Sequence, residues 1–95
     1  MAQPHYISET QILRRVANDP NCRFRWTKHA IQAVADDGRT TKDVEDCLIS
    51  GQVVLHEQKQ DLLWRVKGKD IDGQDIQVVV AVYEAEIVIK VVTTF

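Results

Sequence analysis

The residues best suited to chemistry are Arg25-Trp26-Thr27-Lys28-His29-Ala30, where a histidine stands beside a lysine and just after two arginines, Arg23 and Arg25. Imidazole titrates near neutral pH, so a histidine flanked by fixed positive charge suits proton transfer around a phosphate. The same residues also describe an ordinary solvated first turn of a helix, and the types alone do not separate the two. Further along, Arg65 and Lys67 alternate with Trp64 and Val66, which places both cations on one face of a strand, opposite the apolar one. His29 is the candidate acid or base with Lys28 beside it, and Arg25, Arg65 and Lys67 are the candidate phosphate ligands.

Other chemistries find little footing. The four glycines (Gly38, Gly51, Gly68, Gly73) form no phosphate-cradling loop. His5, His29 and His56 lack metal-ligand spacing, and Cys22 and Cys47 form no CxxC, so neither a metal site nor a cofactor is expected. Asp36 and Asp37 are adjacent and point to different sides of a helix, which does not make a catalytic pair. His56 reads as a half-exposed strand residue. Trp26 and Trp64 read as core, with stacking on a base as the alternative.

The elements that position these groups follow from periodicity. At 95 residues with a 44% hydrophobic fraction, the chain reads as one soluble domain spanning 1–95. The longest apolar run, Val78 to Tyr83, is far shorter than a membrane helix. The N-terminal segment lacks the basic-then-apolar pattern of a secretory leader, so a cytoplasmic location is expected. Residues 1–35 carry five cations against two anions, and residues 36–95 carry seven against twelve. That asymmetry makes either a cationic face for an anionic ligand or a salt-bridged helix–sheet contact.

Ser8-Glu9-Thr10-Gln11 reads as a capping box opening a first helix that stops near Pro20, with Ile12, Leu13 and Val16 inward and Arg14 and Arg15 outward. Thr27 caps a second helix to about Asp37, with Ala30, Ile31 and Val34 as its buried stripe and Gly38 at its end. A third starts at Thr40, with Asp43 in the box position, and ends at Ser50-Gly51. The period then changes to 2, and Val53 to Glu57, Leu62 to Lys69, Gln74 to Tyr83 and Ile87 to Phe95 read as strands. Asp72-Gly73 suggests a two-residue turn with both positions at positive φ, and the short connections imply antiparallel pairing. The expected fold is α+β: about three N-terminal helices on one face of a curled antiparallel sheet of about four strands.

The order of these pieces resembles the DUF4258 family. They are Thr27-Lys28-His29-Ala30, then Thr41 to Gly51, Asp72-Gly73, the strand Val78-Val79-Val80-Ala81-Val82, and Ile87 to Thr94. The resemblance covers about residues 22–95. That family is similar in fold to the RelE, BrnT and MqsR toxins, small ribonucleases neutralised by an antitoxin. The resemblance therefore implies an RNA-acting protein, a metal-independent endoribonuclease of a toxin–antitoxin system, whose partners are RNA and an antitoxin. Family members often carry arginines four and eight residues after the histidine, where this chain has Ala33 and Asp37. Thr93 and Thr94 fall near positions that toxin relatives use on the last strand. Two rival readings remain open. One is a non-catalytic interaction module, binding a protein through a sheet edge or through the acidic third helix (Asp43, Glu45, Asp46). The other is a structural homodimer joined by strand pairing.

Overall fold

The computed structural model describes residues 6–58 and 62–94, and of Gln58 only the backbone. Among the described residues three helices, α1 (Ile7–Ala17), α2 (Lys28–Asp36) and α3 (Thr41–Ser50), accompany five strands, β1 (Arg23–Trp26), β2 (Gln52–Gln58), β3 (Leu62–Lys69), β4 (Asp75–Tyr83) and β5 (Val88–Thr94). The expectation of about four antiparallel strands is corrected. The sheet is five-stranded and mixed, in the order β1-β5-β4-β3-β2. β2 to β5 form the antiparallel meander, and β1 adds to its end parallel to β5, Arg23 opposite Val88 and Trp26 opposite Val91. Short connections forbid parallel pairing only between consecutive strands. β1 and β5 are separated by most of the chain, so that restriction does not reach them.

The helices cover one face of the sheet. Leu13 and Val16 from α1, Ala30 and Val34 from α2, and Val44, Cys47 and Leu48 from α3 meet the inward side chains of β3, β4 and β5, among them Val66, Val78, Val80 and Ile89. β4, with Ile76, Val78 and Val80 all buried, is the central strand, as its apolar pattern implies. Ile31, expected in the buried stripe of α2, is instead 54% exposed. With one sheet face to cover, the nine-residue helix needs only the narrow stripe of Ala30 and Val34.

Two of the three helix starts obey the local signal. Thr27 caps α2, accepting from the Ala30 amide at 3.0 Å. Thr40 and Asp43 form a complete capping box on α3. Ser8 does not cap α1: the helix begins one residue before it, with Tyr6 at the cap position and no side-chain cap bond. The end of α3 is capped from outside, by Arg14 donating to the Ser50 and Gly51 carbonyls at 2.9 and 3.1 Å. The same junction is tight. A Cβ on Gly51 would lie 2.5 Å from the Cys47 carbonyl oxygen and 2.7 Å from a Val66 methyl, and one on Gly68 2.9 Å from the Cys47 sulfur.

The turns also depart from the simplest expectation. Between β3 and β4 only Gly73 takes a positive φ, of 81°. Asp70 closes the turn, its carbonyl accepting from the Gly73 amide and its carboxylate from the Gln74 amide. At the other hairpin Ile87 sits at φ 55°. For a β-branched residue that conformation costs about 1–2 kcal/mol. It turns the Ile87 carbonyl toward the Arg23 amide, 3.0 Å away, which opens the parallel ladder. The expected strand end at Phe95 lies outside the described residues.

Two outcomes follow from this packing. Gly51→Ala should destabilise the fold by about 1–3 kcal/mol, read as a fall in the urea midpoint; an unchanged midpoint would mean that α3 and β3 are free to separate. Amides of Thr40 first, then Ile71, hold the Asp43 carboxyl below its ordinary value of 3.8. A depressed carboxylate stabilises the folded state above the ordinary value and loses that contribution as pH falls through the folded one. Urea midpoints of the parent chain and Asp43→Asn should therefore converge in acid and diverge toward neutral pH.

Candidate functional site

Alternation along the strands turns the candidate cations of the sheet away from the helices. Trp64 and Val66 enter the core, so Arg65 and Lys67 project from the open face. Phe24 and Trp26 pack against the core from β1, so Arg23 and Arg25 share that open face. There the register sets Arg25 beside Lys90, which in turn faces Ala81. Arg65 lies in the next row, opposite Val79, which pairs with Thr93. Arg25 and Lys90 are thus one strand spacing apart, and Arg65 is three spacings and one row away, about 16 Å at the backbone.

A depression of about 300 Å³ opens at this end of the sheet, lined by Arg25, Trp26, Thr27, Tyr83 and Lys90. Thr27, one of its lining residues, joins three elements. Its amide donates to the Val91 carbonyl at 3.1 Å, its hydroxyl donates to the Val92 carbonyl at 2.8 Å, and the same oxygen caps α2. Val92 is free to accept because the β4–β5 register slips here, from Val79–Thr93 to Val80–Val91. Beyond Thr27 the chain enters α2, with Lys28 and His29 exposed on its first turn.

The five candidates therefore do not form one cluster. Arg25 joins a depression whose other polar walls, Tyr83 and Lys90, carried no signal of their own in the sequence. Arg65 and Lys67 lie further along the same open face. Lys28 and His29 follow directly from the depression but belong to a helix packed on the other face. Lys90 and Tyr83 become legible only with the strand register, because they arrive from β5 and β4.

The remaining candidates have structural surroundings. Trp64 is 92% buried, its indole nitrogen without a partner among the described residues, and it belongs to the core. Trp26 is half-buried and lines the depression. His56 stacks edge-on between Tyr6 and Trp64, with Nδ1 3.6 Å from the Glu9 carboxylate, so it ties α1 to the sheet. Thr93 is half-buried on the open face, and Thr94 is buried on the helix side. His5 lies outside the described residues. Among the described residues no set of three His, Cys, Asp or Glu side chains converges as metal ligands. No helix among them is long and apolar enough to cross a membrane.

The thiols are quiet. Burial pushes Cys47 up to about 11. Cys22 is raised as well, by burial first and then by Asp19 and Glu45. A raised thiol carries less of the reactive thiolate at neutral pH. Iodoacetamide at pH 7.5 should modify Cys22 more slowly than a free thiol and leave Cys47 untouched until denaturant is added. Mass spectrometry showing Cys47 alkylated in the native protein would contradict its enclosure.

Comparison with known proteins gives one match. No curated protein and no solved structure matches the chain. The family described as "Domain of unknown function (DUF4258)" matches residues 26–95. That span runs from the last residue of β1 through the whole of the meander, and the chain belongs to the DUF4258 family.

Proposed function

We propose that the protein acts on RNA, as a metal-independent endoribonuclease of the toxin type working in the cytoplasm, with the polyanion lying across the open face of the sheet toward β1. The observation that carries this reading is the Arg25–Lys90 pair. Two cations stand side by side across the parallel ladder, on the wall of one depression, directly before Lys28 and His29. Arg65 and Lys67 extend the positive face by several strand spacings, which suits an extended polyanion better than a single phosphate.

In this reading Arg25 and Lys90 bind the scissile phosphate, and Arg65 and Lys67 hold the strand beyond it. His29 takes the proton of the ribose 2′-hydroxyl or delivers one to the departing 5′-oxygen, and solvent water handles the other proton. Lys28, at an α-helix N-terminus, adds charge where the phosphorane develops. The 2′-oxygen forms a bond to phosphorus as the bond to the 5′-oxygen breaks, leaving a 2′,3′-cyclic phosphate and a 5′-hydroxyl. Ala33 and Asp37 stand where family members often have arginines, so phosphate binding falls to the cations of the sheet.

Purified protein should cut single-stranded RNA in the presence of EDTA and leave cyclic phosphate ends. His29→Ala should lower the rate by about 10²-fold or more with RNA affinity kept. Arg25→Ala and Lys90→Ala should each weaken binding and reduce its salt dependence by about one phosphate contact. Absence of RNA binding would overturn the reading. Binding without cutting would leave a non-catalytic RNA-binding protein, the version that Ala33 and Asp37 favour.

A further inference from the structure

The two edges of the sheet are finished differently. On β2 the Val53 amide donates to the Thr10 hydroxyl at 3.0 Å, so α1 meets that edge at its start. On β1 the Arg23 and Thr27 amides donate inward, to the Ile87 and Val91 carbonyls. The alternate residues, Phe24 and Trp26, therefore turn their N–H and C=O groups outward, and no described strand pairs with them. Both residues are only half-buried, while Arg23 and Arg25 are exposed.

The side chains along this edge select the partner. A strand added to β1 would meet Arg23 and Arg25 on its open-face side and Phe24 and Trp26 on the other. A second copy of β1 would set arginine against arginine, and like charges opposite one another destabilise a pair. Acidic residues at alternate positions convert each of those repulsions into an attraction, and apolar residues between them cover the two aromatic rings. We infer that β1 is a docking edge for an extended segment of a protein partner in which acidic and apolar residues alternate. Main-chain hydrogen bonds to Phe24 and Trp26 supply its affinity, and Arg23 and Arg25 supply its charge selectivity. Such a strand would also lie over Arg25, one wall of the depression.

The test uses the intact chain and a synthetic peptide of alternating Glu and Val, with amide exchange followed by NMR. Peptide binding should slow exchange at Phe24 and Trp26. The double variant Arg23→Glu, Arg25→Glu should bind it about tenfold or more weakly, and should bind the corresponding Lys/Val peptide in its place. Methylating the alternate peptide nitrogens of the Glu/Val sequence should abolish binding with no change to the protein. The inference is overturned if the two amides stay unprotected or if charge reversal leaves affinity unchanged. It is equally overturned if the double variant, shown to be folded, fails to take the Lys/Val peptide. Self-association of the parent chain through these amides, or their protection by single-stranded RNA and not by the peptide, would assign the edge to a different occupant. Peptide binding is read without RNA, so its outcome is separate from whether RNA is cut.

Discussion

Thr27 is the residue on which the arrangement turns. One side chain caps α2 and reaches the displaced Val92 carbonyl, and its backbone amide completes the β1–β5 ladder. A hydroxyl both donates and accepts, which is why a threonine can serve a helix start and a strand bulge together. Valine has the same shape and would leave both the Ala30 amide and the Val92 carbonyl without that partner. A cap of this kind contributes about 1 kcal/mol. Its positional effect is larger: it fixes where the first turn of α2, carrying Lys28 and His29, stands relative to Arg25.

How much of this was legible in the residues depended on the range of the interaction. Thr40 with Asp43, Thr27 at its cap, and the inward pair Ala30 and Val34 are decided within one or two turns, and the local pattern located them. Ser8 carried an equally good local signal and failed. The helix starts one residue earlier, where Tyr6 packs against the core and stacks on His56. Arg14 looked like a solvated residue, because its partners, the carbonyls ending α3, lie more than thirty positions away. β1 was not among the expected strands, and nothing in its four residues could announce their pairing with β5.

The candidate site divides along the same line. Arg65 and Lys67 could be placed on one strand face from alternation alone, and both do project from the open face; that Arg25 shares it follows only from the pairing of β1 with β5. Which cations sit side by side could not be read, because adjacency across a sheet is set by register, and here a slip at Val79/Val80 intervenes. Lys90 and Tyr83 are ordinary strand residues until β1 is laid against β5. His29 was the most suggestive residue chemically, and its helix lies on the covered side of the sheet, reaching the depression only through the Thr27 junction.

The parallel contact between β1 and β5 has a consequence for biogenesis. Chains emerge from the ribosome N-terminus first, and a domain folds as a unit once its segments are available. Arg25 is made early, whereas Lys90 and the Ile87 carbonyl that anchors β1 are made late. During synthesis β1 is a strand with no ladder, and the cationic pair does not exist. Assembly of the depression is therefore coupled to the arrival of β5, so that a nascent or truncated chain lacking that segment has no Arg25–Lys90 pair.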